Sequence, residues 1–285
     1  MTLRDGAVAV PGHVDLALLG TVLEAQLRIY DLGRALSAGM PQSSNHPEFR
    51  HTLVRRHGDI VRPDGGSASN DLIVMGTHVG THIDALGHVS QDGALYGGAD
   101  ALAAQTGGRF VEHGIHTFRP TVCRGILLDV PAAIGDRTCT AGYEITSYDL
   151  SKAAAVQGVE LRSGDAILVR TGWAQHWADS ARYKGLESGV PGPGEDGARW
   201  LASQQPIAVG ADTIAFEHLA PGAGHCILPA HRVLLVEFGI NIIETLMLED
   251  LAAARVYEFL LVLNPLNIVG ATGSPLRPIA VVPIK

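Results

Sequence analysis

The chain has 285 residues and a mass of 30.0 kDa, enough to bury a large core as one big domain or two small ones. Its formal net charge of −8 and pI near 5.9 argue against nucleic acid, which needs a basic stripe. No run of about 18 apolar residues occurs, so no membrane span is expected. The apolar pieces near the N-terminus are too short and interrupted for a signal peptide, so the expected location is cytoplasmic.

In chain order, Val14–Leu27 carries a helical pattern. The only local basic cluster is Arg55-Arg56-His57, with Arg50 and Arg62 nearby, read as a solvated face or a holder for a substrate carboxylate. Asp71–Met75 is apolar and partly β-branched and reads as a buried strand. Strand-like runs follow at Gly125–Val130, Ala166–Thr171, Ile207–Gly210, Arg232–Glu237, Val256–Leu263 and Ile279–Ile284. Helical patterns lie at Ser147–Gln157, Asp196–Gln204 and Glu244–Ala253, giving a mixed α/β organisation. Trp173 and Trp177, spaced i and i+4, are core residues or the wall of an aromatic substrate pocket. The Gly- and Pro-rich segment Lys184–Asp196 is the least regular, a lid or an ordinary surface loop. Cys123, Cys139 and Cys226 are far apart and without a C-x2-C pair, so they read as buried thiols. No Walker-type loop or Gly-x-Gly-x-x-Gly follows a strand, which leaves nucleotide cofactors without support.

The chemistry concentrates between His78 and His88, in His-Val-Gly-Thr-His82-Ile-Asp84-Ala-Leu-Gly-His. Neutral imidazoles with a carboxylate suit a borderline divalent ion such as zinc, manganese or iron, and a 2-His-1-carboxylate set leaves positions open for water or substrate. Gly76 and Gly80, with Thr77, Val79, Thr81 and Ile83, argue against a helix. An extended chain is expected, with His78, Gly80, His82 and Asp84 on one face, and with His88 near Asp84 if the chain then turns into a helix. Downstream, His231 reads by itself as a strand-end histidine and Glu244 as a helix-start carboxylate. His225, Glu217 and His218 are second-rank candidates to approach the site.

His-x-Gly-Thr-His-x-Asp-x3-His resembles the signature of the cyclase-like metal-dependent hydrolases, which include bacterial kynurenine formamidase and isatin hydrolase. Tyr30-Asp31-Leu32 with Gly39-Met40-Pro41, Val209–Thr213, His231–Leu235 leading to Glu244–Leu246, and Gly273–Pro275 with Arg277–Ala280 are similar to further blocks of that family. The resemblance implies a single domain over 28–285 after an extension at 1–27. The implied fold is a mixed-sheet, swivelling β/β/α type with a barrel-like β core and flanking helices. It also implies that His78, His82 and Asp84 hold a metal ion and that His88 is catalytic. In the formamidase branch a second ion takes Asp84, His231 and Glu244, whereas the isatin-hydrolase branch resembles a single-manganese arrangement. One or two ions of Mn2+ or Zn2+, and a homodimer or homotetramer, are therefore expected.

The expected reaction is hydrolysis of an amide, lactam or related carbonyl bond in a small molecule by metal-activated water. His88, titrating near neutrality, carries the proton. Gly80 and Thr81 orient ligands or steady the oxyanion. Two other classes are a non-haem iron oxygenase using His82, Asp84 and His231, and a metal-dependent binding protein without turnover.

Overall fold

The apolar, β-branched runs of the chain assemble into one sheet curled as a half-barrel, with helices against its outer face. The structure, a computed structural model, describes Gly20 and residues 26–284. Its strands are β1 (Leu27–Asp31), β2 (Arg50–Arg55), β3 (Asn70–Val74), β4 (His82–Asp84), β5 (Gln105–Thr106), β6 (Arg109–Phe110), β7 (Thr121–Asp129), β8 (Glu144–Ile145), β9 (Ala166–Arg170), β10 (Gly192–Pro193), β11 (Ala208–Ala211), β12 (Asn241–Glu244), β13 (Glu258–Leu263), β14 (Gly273–Pro275) and β15 (Ile279–Pro283). The helices are α1 (Val130–Ile134), α2 (Ser147–Gln157), α3 (Ser180–Lys184), α4 (Glu195–Ser203), α5 (Pro229–His231), which runs into a π-helical turn over Arg232–Glu237, and α6 (Glu249–Ala253). Among the described residues no helix is long and apolar enough to cross a membrane.

The nine-stranded sheet has the order β1-β15-β13-β7-β9-β11-β12-β4-β14. β7, β9, β11 and β12 are parallel to one another, and the strands on both flanks pair antiparallel. Parallel strands covered on both faces read as unbroken apolar runs. Ile126-Leu127-Leu128 and Ile167-Leu168-Val169 are such runs and are fully buried. Ile126, Leu128, Ile167 and Val169 meet Leu150 of α2 and Leu201 of α4. Leu127 and Leu168 face inward, onto Ile83, Ile243 and Leu261. α2 keeps the expected bounds because both ends are written locally: Thr146 and Asp149 form a capping box, and Gly158 closes the helix in the left-handed region.

Several expectations are corrected. Most of the helix expected over Val14–Leu27 falls outside the described residues; Gly20 is helical, Gln26 is irregular and Leu27 already belongs to β1. Asp71–Met75 does form a strand, but β3 pairs only with β2 in a two-stranded ribbon, so Leu72, Ile73 and Val74 are exposed instead of buried. Arg232–Glu237 is a buried helical turn led by Pro229 at the first position of α5, since a short apolar run fits a buried helix as well as a strand. Glu244 ends β12 instead of opening a helix. Pairing of Ile242 and Ile243 with β11 and β4 overrides the local pattern, and helix resumes only at Glu249. The segment 184–196 is no open lid, because Gly192–Pro193 pairs with Glu144–Ile145, Val190 bridges to Leu219, and α4 starts at Glu195. Cys123 and Cys139 are buried, whereas Cys226 is exposed.

Candidate metal centre

β4 lies between β12 and β14, with Ile83 opposite Ile243 on one side and Ser274 on the other. Strand alternation sends Ile83 into the core and turns His82 and Asp84 to the opposite face, as expected for these two. The register sets His82 directly across from Glu244, and His82 Nε2 lies 3.4 Å from a Glu244 oxygen. Asp84 is across from Gly273.

His78 reaches the same place by a turn and not, as expected, along an extended chain, with Gly80 at φ 68°. A Cβ on Gly273 would lie 2.6 Å from His78 Cε1, so only glycine leaves room for that ring. His88 returns through a turn in which its N–H donates to the Ala85 carbonyl at 2.9 Å, where a helix was expected. Its ring stacks on His78 with centroids 3.8 Å apart. His231 comes from α5, where Glu217, fully buried, accepts the backbone N–H groups of Ala230 and His231 at 3.1 and 3.0 Å. The same carboxylate sits 2.5 Å from His231 Nδ1. That contact aims His231 Nε2 at Glu244 and Asp84, 3.2 and 3.5 Å away. Phe216 beside Glu217 and Thr245 beside Glu244 have φ of 56° and 61°, a strained conformation costing about 1–3 kcal/mol each. Both strained residues adjoin carboxylates of the site.

Burial raises the Asp84 carboxyl, but the surrounding imidazoles of His88, His78 and His231 outweigh it and hold the group well below the usual carboxylate range. His231 moves the other way: burial lowers it, and the carboxylates of Asp84, Glu217 and Glu244 around it raise it well above an ordinary imidazole. Burial pushes Glu244 up to about 7 and drives His82 down to about 4 and His88 to about 3. His88 is thus a neutral imidazole at pH 7, a correction to the expectation that it titrates near neutrality.

The donor set fits a divalent ion. Donor atoms of His78, His82 and Asp84 lie within 4.8 Å of one another, as do those of Asp84, His88 and His231. Asp84 Oδ2 is buried and has no hydrogen-bond partner among the described residues. A buried carboxylate oxygen without a donor is costly unless a cation takes that role. The orienting contacts behind the ligands are also present: His82 Nδ1 is 2.7 Å from the Gly80 carbonyl, and His78 Nε2 is 2.8 Å from Thr272 Oγ1.

His78, His82, His88, His231, Glu244 and Gly80 line one cleft of about 190 Å3, and buried Asp84 lies against His78, His82 and His231. His225 lines it as well, whereas His218 does not. Trp173 and Trp177 are corrected. Trp173 is core, donating from Nε1 to the Tyr183 carbonyl at 2.9 Å, and Trp177 lies beneath the Arg34 guanidinium; neither lines the cleft. Thr81 is not free to meet an oxyanion, because its hydroxyl donates to the Thr245 carbonyl and accepts the Arg34 N–H. His46 and Thr272 escaped the sequence reading. No local spacing marks them; His46 lines the cleft and stacks on His78, with centroids 5.2 Å apart.

A curled mixed sheet presenting His-x3-His-x-Asp at a buried strand defines a metal-dependent hydrolase class, and known proteins agree. The family model described as "Putative cyclase" matches residues 30–218, and the chain belongs to this family of cyclase-like metal-dependent hydrolases. Isatin hydrolase of Roseibium aggregatum is 28% identical over 272 residues, 92% of this chain and 94% of its own. A crystal structure of a novel cyclase is similar at TM-score 0.82 and 30% identity, covering 93% of this chain and 91% of that one. A Bacillus stearothermophilus protein, described as a predicted metal-dependent hydrolase, is similar at TM-score 0.60 and 25% identity over 90% of this chain and 99% of its own.

Proposed function

We propose that the protein is a metal-dependent amidohydrolase that cleaves an amide, lactam or related carbonyl bond, with aryl formamides and isatin-like rings as favoured substrates. The observation that carries this reading is the partnerless Asp84 oxygen inside a ring of imidazoles. The likeness to an isatin hydrolase supports the bond type. The ion is Mn2+ or Zn2+. His78, His82 and Asp84 would hold it, and Asp84, His231 and Glu244 would seat a second. When bound, such an ion supplies a water of lowered pKa and polarises the carbonyl.

The chain's own residues do the rest. The Gly80 carbonyl and Glu217 fix the tautomers of His82 and His231, so that both Nε2 atoms face Asp84 and Glu244. His88 makes no side-chain hydrogen bond among the described residues and is neutral at pH 7, so a ring nitrogen is free to accept the water proton. As the C–N bond breaks, the acyl carbon keeps the hydroxyl and the nitrogen takes the proton from His88. Burial makes the His88 imidazolium a ready donor. The protein acts in the cytoplasm on a small molecule, without nucleic acid or membrane as partner. It assembles as a homodimer or homotetramer, which the exposed Leu53 and Ile73 on one face of the β2–β3 ribbon support.

The test is metal analysis of the purified protein, followed by N-formyl amides, cyclic imides, isatin and lactones with and without chelator. Hydrolysis should disappear with chelator and return with manganese or zinc. Chelator-insensitive hydrolysis, or oxygen uptake with iron in its place, overturns the reading. His88→Ala should retain metal and lose turnover, and an empty site in that variant would make His88 a ligand.

A further inference from the structure

The metal cleft opens beside a larger cavity. The cleft measures about 190 Å3 and its neighbour about 900 Å3, and Gln42, Ser43 and His46 belong to the walls of both. Pockets that enclose a whole small organic ligand run from about 300 to 1,000 Å3. The cleft alone holds a reacting carbonyl and little more, whereas its neighbour is the size of a substrate body.

The wall of the larger cavity explains an oddity of the fold. β2 and β3 form a ribbon in which Arg50 pairs with Val74 and Thr52 with Leu72, so these four side chains share one face. All four line the cavity, with Phe49 and Met40 beside them. Leu72 and Val74 are 52% and 51% exposed, although a strand with a single neighbour gains nothing by showing aliphatic side chains to water. The charge on the wall is also specific. Arg50 is paired with Glu48 at 3.5 Å, whereas Lys184, the half-buried last residue of α3, has no hydrogen bond or ion pair among the described residues. A lysine without a counter-ion beside aliphatic and aromatic walls is complementary to an anion carried on an apolar body.

We propose that this cavity is a substrate chamber for an aryl or alkyl arm ending in a carboxylate, the carboxylate meeting Lys184 while the scissile carbonyl reaches the metal cleft past His46. The inference deepens the hydrolase reading and rests on it for the position of the cleaved bond. The substrate class is then an amide or lactam bearing a distal carboxylate.

Calorimetric titration with 4-phenylbutanoate and with neutral 4-phenylbutanamide tests the chamber without turnover. The wild-type protein should bind the carboxylate about tenfold more tightly than the amide, the scale of one charge-assisted hydrogen bond. Lys184→Met should equalise the two, and Val74→Asp should weaken the carboxylate further by repulsion. Lys184→Gln, with a thermal melt of each variant, guards against a folding defect. Equal binding of both ligands by the wild type, binding of neither, or a preference that survives both Lys184 variants overturns the proposal. Chelator-sensitive hydrolysis of formanilide by the wild type tests the hydrolase reading separately, so the two failures are distinguishable.

Discussion

On β7, buried Arg124 is gripped by Asp165 at 2.9 and 2.7 Å, by Glu258 at 2.9 Å and by the Glu160 carbonyl at 2.7 Å. On β4 of the same sheet, buried Asp84 has one oxygen 2.7 Å from His78 Nδ1 and the other without a hydrogen-bond partner. Both clusters bury charge, but only the first closes its own account of donors and acceptors. Asp165 even takes the Arg162 N–H at 2.7 Å with an oxygen already bound to Arg124. A network that is saturated from within holds strands together and has nothing to offer a ligand. The His82 and His231 imidazoles approach Asp84 at 3.5 Å, too long for good hydrogen bonds and suited to donors arranged around something else.

Asp84→Asn should break the contrast most severely. Loss of the charge shared by both candidate ion seats should leave purified protein without metal and without chelator-sensitive turnover, read by metal analysis and a hydrolysis assay. Retained stoichiometric metal would move the site elsewhere. Asp165→Asn should do the reverse. It leaves the buried Arg124 with Glu258 as its one remaining carboxylate and should cost about 1–3 kcal/mol of stability in denaturant unfolding, with metal affinity unchanged. Were both variants to lose metal alike, the two clusters would not differ in kind.

Glu217→Gln is the intermediate case. The amide keeps the shape of the contact to His231 but removes the charge that raises the basicity of its Nε2. Loss of such an outer partner typically costs about 10–100-fold in metal affinity. Titration of the ion-free protein with zinc reads it directly. An unchanged affinity, with only a lowered melting temperature, would reduce Glu217 to a cap on α5.

These residues also mark where the sequence is legible. His82, Ile83 and Asp84 alternate as a strand should, and that pattern alone separates ligand face from core face. The buried runs around Ile126 and Ile167 are equally plain, because parallel strands in the middle of a sheet have no polar face to write. Glu244 is legible only through the family resemblance: its place opposite His82 comes from the register of β12 on β4, a contact between residues far apart in the chain. Nor does composition reveal that β3 is exposed, since an apolar strand lining a cavity and one in a core have the same residues. Glu217 is only a second-rank candidate in the sequence, because its contact with His231 and the strain at the neighbouring Phe216 appear in the structure and in no local motif.

The smallest expected effect is a count of protons. Asp84, Glu217 and Glu244 surround His231 and keep its imidazole protonated well above the usual range, while burial sets Glu244 near 7. A metal ligand must be deprotonated, so an ion that takes His231 and Glu244 must displace their protons. Because the His231 pKa is raised, its proton is present at and below neutral pH and is lost only as pH climbs. Zinc affinity should therefore rise with pH through neutrality and fall below about 7, where Glu244 gains its proton as well. Calorimetric titration at pH 7 in two buffers of different ionisation enthalpy should report release of about one proton or more per protein. If the heats agree between buffers, His231 and Glu244 do not take part, and the ion rests on His78, His82 and Asp84 alone. The centre then holds one ion, with His231 and Glu217 forming a second self-contained pair.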